Sequence, residues 1–278
     1  MKHTKNIEMA KTDLTIIIPV HTVKGDTITW LDKAIQSINQ QNTLPDSLVI
    51  ITSDNKEVTN AINKIKLGSI GDKTKIITND SGKIDFCSQV NFGVSHVETE
   101  YFSVLELDDE YSNIWINNFV TYKKHYEDVS LFLPIVVETD VHGKYINTTN
   151  EAVWALQFSD EMGYLDNGAL LRYPNFSFTG GIIKKDDYEE IGGLKSTIRL
   201  SFIYEFLLRL TYNDKKIMTI PKFGLKHTNM RPGSLFYDYK NGDYSILPNE
   251  GKFWMETAKK EYFFIEDRKI TFEENVTV

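Results

Sequence analysis

Four carboxylates crowd into five consecutive residues at Glu106-Leu107-Asp108-Asp109-Glu110. Packing like charge so densely is unfavourable unless water or a cation neutralises it. Mg²⁺ and Mn²⁺ take carboxylate oxygens, and commonly share their shell between one or two protein carboxylates and the phosphates of a substrate. The run follows directly on Tyr101-Phe102-Ser103-Val104-Leu105, which reads as a buried strand; if that strand continues, Glu106 and Asp108 point the same way. The plainer alternative is a solvated acidic turn capping a helix that starts near Asn113. Cys87 has no neighbour in sequence that would activate its thiol, and reads as a small buried hydrophobe.

The elements that must hold such a cluster alternate along the first half of the chain. Leu14 to Val20 is a continuous, mostly β-branched run, as expected of a parallel strand buried on both faces. Ile28 to Gln40 follows with Leu31, Ile35 and Ile38 at helical spacing. The pairing repeats in Leu48 to Thr52 with Val58 to Ile65, and in Lys75 to Thr78 with a helix around Phe86 to Val94. Such alternation predicts βαβ units and a doubly wound, mainly parallel α/β sheet. Ligands of these sheets lie beyond the carboxyl ends of the strands. The segments to read for function are therefore 21–24, 53–55, 79–83 and 106–110.

The second half is less regular. Strands are expected at Ser130 to Thr139, Phe176 to Lys184 and Lys216 to Ile220, with a turn at Val141 to Lys144. Helices are expected at Asp187 to Ile191, closed by Gly192-Gly193, at Phe202 to Tyr212, and at Lys252 to Phe264. This divides the chain into a tail at 1–12, a regular α/β half at 13–112, a less regular half of the same domain at 113–240, and a helical extension at 241–278.

With 278 residues, 41% of them hydrophobic, the chain can bury a large core. A net charge of -8 argues against an undirected grip on nucleic acid or anionic lipid. The longest apolar runs, Leu14 to Val20 and Leu131 to Val137, are far shorter than the roughly 20 residues of a membrane-spanning helix, so no integral membrane association is expected. One cysteine and a Lys-rich start without an apolar segment suit a reducing cytoplasm, in a bacterial or virus-infected cell.

Several segments, taken in order, resemble glycosyltransferase family 2. Ile16-Ile17-Ile18-Pro19-Val20-His21 resembles its opening strand, the helix bearing Leu31, Ala34, Ser37 and Gln41 its first helix, and Asn91-Phe92-Gly93 its N-x-G element. Glu106-Leu107-Asp108-Asp109 is similar to its D-x-D-D signature with Glu in first place, and Gly192-Gly193-Leu194 resembles its GGfde turn. The resemblance covers roughly residues 14–235. It implies a GT-A type nucleotide-sugar-binding fold with an irregular acceptor side. Asp54 would sit near the base, Glu106 near the ribose or a metal-bound water, and Asp108 would ligate Mn²⁺ or Mg²⁺ at the donor diphosphate. His227, in the loop that also holds Arg231, would complete the metal shell or touch the diphosphate; Pro19, His21, Asn91 and Arg231 fall to the donor by the same likeness.

One departure bears on catalysis. Aligning the family's E-D-x-x-x-x-x-R element on Arg209 puts Phe202-Ile203 where the acid pair should stand, and neither can accept a proton. Glu205, two positions along, is one substitute base, with an i,i+4 pair to Arg209 as its structural alternative; Asp166 is another. The expected activity is metal-dependent, inverting transfer from a nucleoside diphosphate sugar, foremost a UDP-sugar, to an acceptor hydroxyl. The acceptor is a glycan, protein or small molecule, with a modified DNA base as a minor alternative. Two rivals are a nucleotidyltransferase, for which His21-Thr22-Val23-Lys24-Gly25 is a poor phosphate loop, and a catalytically inactive sugar- or nucleotide-binding protein.

Overall fold

The computed structural model describes residues 11–20, 26–229, 231–232, 234, 237, 240 and 249–272. Four parallel strands form its first half: β1 (Leu14–Val20), β2 (Ser47–Ser53), β3 (Thr74–Asn79) and β4 (Tyr101–Val104). Between them run α1 (Thr27–Asn39), α2 (Lys56–Ile62) and α3 (Phe86–Val94). The alternation of side chains along β1 explains why the run is apolar throughout. Ile16, Ile18 and Val20 pack with Leu31, Ile35 and Ile38 of α1 in one core, while Ile17 faces Val90 and Val94 of α3 in the other. Helices on both faces of one sheet make the doubly wound arrangement that the alternating pattern predicts.

The second half adds β5 (Glu110–Tyr111), α4 (Trp115–Lys123), β6 (Val129–Thr139), β7 (Tyr145–Thr149), β8 (Tyr164–Leu165), α5 (Asn167–Arg172), β9 (Ile182–Lys184), α6 (Lys185–Glu190), α7 (Phe202–Tyr212), β10 (Lys216–Thr228) and α8 (Glu250–Glu261). The sheet runs β3-β2-β1-β4-β9-β6-β10-β5, with β7 on β6 and β8 on β10. Only β9 interrupts the parallel direction between β4 and β6, being antiparallel to both. β6 and β10 are parallel, so the carboxyl ends of β1, β2, β3, β4, β6 and β10 all open on one rim.

Two expectations change at this level. The strand expected from Phe176 is confined to Ile182–Lys184, because Gly180 takes φ +71° and turns the chain before it. A Cβ on Gly180 would lie 2.8 Å from Leu225 Cδ1, so this turn must press directly on β10. β10 runs well past Ile220, to Thr228, and carries His227 to the rim. Among the described residues no helix is long and apolar enough to cross a membrane.

Candidate donor and active site

The acidic run does not prolong β4 as an alternating strand. After Val104 the chain turns, with the Asp109 amide donating to the Glu106 carbonyl at 3.1 Å, and returns as β5 antiparallel to β10. The pairing of Glu110 with Lys226, backed by a 2.7 Å ion pair, pins this turn over the end of β10. Asp109 is thereby fully buried, and its Oδ1 accepts from the Thr228 amide at 3.0 Å and contacts His227 Nδ1 at 2.9 Å. The Thr228 hydroxyl donates to the Asp108 carbonyl at 2.7 Å, and Arg231 Nε donates to Asp108 Oδ2 at 2.5 Å. Glu106 accepts from the Thr179 hydroxyl at 3.1 Å, on the turn that Gly180 presses against Leu225.

The charges in this cluster are not balanced by burial alone. Desolvation, then the neighbouring Asp109 and Asp108 charges, lift the Glu106 carboxyl to about 7, although His227 and the Thr179 hydrogen bond pull the other way. Desolvation and Asp109 raise Asp108 as well, and Arg231 offsets this only in part. Desolvation disfavours the His227 imidazolium, but Asp109, Glu106 and Asp108 outweigh it and hold its pKa at about 10. His227 is thus a cation at neutral pH. Its Nδ1–H is committed to Asp109, which leaves Nε2–H as the edge for an anionic ligand.

β6 adds a carboxylate to this rim. Glu138 stands opposite His227 in the parallel register, and accepts from Asn229 Nδ2 at 2.9 Å and from the Thr149 hydroxyl.

Other expected residues distribute unevenly. Asp54 is exposed in the bend after β2, and Pro19 is buried near the end of β1, both on the rim. His21 lies outside the described residues. Asn91 spends its amide on the protein: its Nδ2 donates to the Leu194 carbonyl at 2.7 Å, and its Oδ1 accepts the Leu194 amide and the Tyr188 hydroxyl. Gly193, at φ +68°, leaves room for it, since a Cβ there would meet Asn91 Oδ1 at 2.7 Å. Asn91 therefore ties α3 to the turn after α6.

Neither expected base reaches the cluster. Glu205 is 0% exposed, gripped by Arg209 through two 2.8 Å hydrogen bonds and by Lys195 at 2.9 Å. Arg209 continues to the carbonyls of Ile191 and Gly193, and Lys195 to those of Glu261 and Phe264. α7 is covered on more than its apolar stripe, so the side of Glu205 expected to face a crevice is closed. Asp166 caps α5, accepting from the Ala169 amide at 2.6 Å and the Asp160 amide at 2.9 Å. It follows β8, which pairs with Ile217 and Met218 at the start of β10, the end remote from His227. Cys87 is buried and its thiol is pushed up by desolvation, as befits a core residue.

Asp109, Thr179 and Glu138 are the members of the cluster that the sequence reading passes over. Asp109 had a signal, being inside the acidic run; the other two acquire meaning only from the Gly180 turn and the β6–β10 register.

A family model described as glycosyl transferase family 2 matches residues 15–192. No curated protein matches the chain. Among solved structures, S. aureus TarS 1–349 in complex with UDP-GlcNAc superposes with a TM-score of 0.63 at 11% identity, over 89% of this chain and 66% of that one. The complex of the same fragment with UDP gives 0.57 at 10% identity, over 77% and 60%. S. aureus TarS gives 0.55 at 13% identity, over 90% and 43%. The chain thus spans between 43% and 66% of the length of these structures, and at such identities the likeness is one of fold.

Proposed function

The chain belongs to glycosyl transferase family 2, and from its rim cluster we propose that it moves a glycosyl group from a nucleoside diphosphate sugar to an acceptor hydroxyl, with inversion and with Mn²⁺ or Mg²⁺ bound. A UDP-sugar is the preferred donor, and UDP and UDP-GlcNAc are the ligands seen in the similar TarS fragment. One observation carries the reading: Asp108 with Arg231, and Asp109 with His227, meet at the carboxyl ends of a doubly wound sheet.

The residues suit a divalent ion in chemistry, though not as a finished cage. Glu106 and Asp108 are both raised by burial and by neighbouring negative charge, which a cation would relieve. Among the described residues no three His, Cys, Asp or Glu side chains stand ready as a complete ligand set. Ions that share their shell with substrate phosphates need only one or two protein carboxylates. Asp108 would hold the ion, with Arg231 released toward the diphosphate; the charged His227 would donate from Nε2 to a phosphate oxygen, and would join the metal's shell only by giving up that proton. Bound there, the ion would supply Lewis acidity to the departing diphosphate.

The chain's own groups do the rest. Arg231 and His227 offer N–H donors to phosphate oxygens whose charge grows as the bond to the sugar breaks. Asp109 keeps the imidazole charged and oriented. The acceptor oxygen bonds to the anomeric carbon, the electron pair of the broken bond leaves with the nucleoside diphosphate, and the hydroxyl proton passes to a base. Calorimetry and donor hydrolysis across UDP-, GDP- and dTDP-sugars, with and without Mn²⁺, test the reading. UDP-sugar binding strengthened by Mn²⁺ is expected; binding of no nucleotide sugar would overturn it. Binding without any turnover would favour the inactive binding protein, for which Phe202-Ile203 and the buried Glu205 are the supporting observations.

A further inference from the structure

With Phe202-Ile203 in place of an acid pair and Glu205 enclosed, the proposed transfer has no base on α7. The rim offers several carboxylates, and their partners sort them. Asp108, Asp109 and Glu110 each hold a cationic side chain: Arg231, His227 and Lys226. Asp140 uses its Oδ1 to close the turn between β6 and β7, accepting the amides of His142 and Lys144, both at 2.9 Å. Glu106 stands in the same turn as Asp108 and belongs with the donor grip. Glu138 is different: it is half-buried, and its hydrogen-bond partners among the described residues are the neutral Asn229 amide and Thr149 hydroxyl. One neutral donor on β7 and one just past the end of β10 fix this carboxylate in place and leave it without an ion-pair partner among the described residues.

Its position is equally specific. Across the sheet the order is β5, β10, β6, β7, with Glu110 opposite Lys226, His227 opposite Glu138, and Glu138 opposite Asn147. Adjacent strands are about 4.8 Å apart. Register partners share a face, so Glu138 lies beside His227 on the side of β10 away from β5. An inverting displacement needs its base across the anomeric carbon from the leaving diphosphate, and a carboxylate one strand beyond the diphosphate-facing imidazole meets that need.

Resting on the glycosyl-transfer reading, we propose that Glu138 is the catalytic base: its carboxylate takes the proton of the acceptor hydroxyl as that oxygen bonds to the anomeric carbon and the nucleoside diphosphate departs. Asn229 and Thr149 are positioning residues that hold the carboxylate toward the acceptor. Water in the acceptor position is activated in the same way.

The test uses the full chain with UDP-glucose, UDP-galactose and UDP-GlcNAc, each with Mn²⁺, and measures binding by calorimetry and UDP release to water. Glu138→Gln is expected to keep the wild-type Kd within about threefold and to lose at least about 100-fold in UDP release, the usual contribution of a general base. Glu138→Asp, which retains a carboxylate, should recover part of that loss, and the acidic limb of the wild-type pH–rate profile should be absent from Glu138→Gln. Wild-type turnover in Glu138→Gln overturns the assignment, as does loss of turnover at unchanged Kd in Glu106→Gln alone. A wild-type protein that binds donor but never releases UDP overturns it too. A wild-type protein that binds none of these three donors, nor a GDP- or dTDP-sugar, overturns instead the transfer reading on which the assignment rests.

Discussion

Two clusters in this molecule are built from the same kinds of side chain and do opposite things. At the rim, Glu106, Asp108 and Asp109 meet His227 and Arg231; beneath α8, Glu205 meets Lys195 and Arg209. In the inner cluster all three side chains are at most 1% exposed, and the donors of both cations end on protein carbonyls or on Glu205 itself. At the rim, His227 is 31% exposed in its side chain, and it and Arg231 stand where the sheet's strands end. A charged cluster whose hydrogen-bonding capacity is spent on the chain's own backbone is a fastening. One that keeps an edge toward solvent at a sheet's carboxyl end can bind and react.

The largest expected effect tests the fastening. Glu205→Gln preserves shape but leaves Arg209 and Lys195 buried without a counter-charge, and removing one partner of such a pair costs about 3–5 kcal/mol. Chemical denaturation should show that loss, while donor turnover per folded molecule stays at the wild-type level. A stable Glu205→Gln protein with slow turnover would reverse the two roles.

Asp108→Asn should do the converse. The residue is buried, at 6% exposure, but burial and Asp109 already disfavour its charge, and its side-chain partner is a rim arginine rather than a core element. Donor turnover should fall by about 10²–10³, the scale of losing one charge-stabilising group at a reaction centre, with stability changed by less than about 1 kcal/mol. Equal Mn²⁺ stimulation of wild type and variant would remove Asp108 from the metal's shell.

The pH dependence of the metal-free protein probes the protonation of the rim. Glu106 is raised from the usual carboxyl range to about 7, and His227 from 6.5 to about 10. In both cases the folded state binds a proton that the unfolded state has released, so stability should fall as pH rises, first between about 4.5 and 7 and then between about 6.5 and 10. Asp109→Asn, which removes the main counter-charge of His227, should erase the upper part of that decline in urea titrations. An unchanged upper slope would mean that His227 is not held as a cation.

Most of the sheet was legible because buried parallel strands are written as unbroken apolar runs, as in Leu14–Val20 and Leu48–Thr52, and the acidic run was conspicuous by its charge. What stayed hidden depends on contacts between distant segments. Helical periodicity identified the apolar stripe of α7 but could not show that Tyr204 to Leu210 are buried all round, which is why Glu205 looked available. Glu138 follows the run Leu131 to Val137 without any local mark; its place beside His227 comes from β10 pairing with β6. Asn91 looked like a donor contact because its partner, the turn at Gly193-Leu194, is far along the chain.

The smallest expected effect concerns Asp166, which shares its residue type with the rim carboxylates and nothing of their setting. It sits in an open hollow lined by Asp160, Glu161, Tyr164 and Lys216, among others, where β8 meets the first residues of β10. From Ile217 to His227 the strand covers roughly 30 Å at about 3.3 Å per residue, too far for a proton to pass directly to or from an acceptor held at the rim. Its two backbone hydrogen bonds, to Ala169 and Asp160, make it the N-cap of α5, and replacing such a cap by alanine costs about 1 kcal/mol. Asp166→Ala should therefore lower the urea midpoint slightly and leave both UDP-sugar binding and turnover unchanged. A loss of turnover beyond about tenfold, with the fold intact by circular dichroism, would mean that acceptor chemistry extends to the far end of β10 and that the rim is not the whole site.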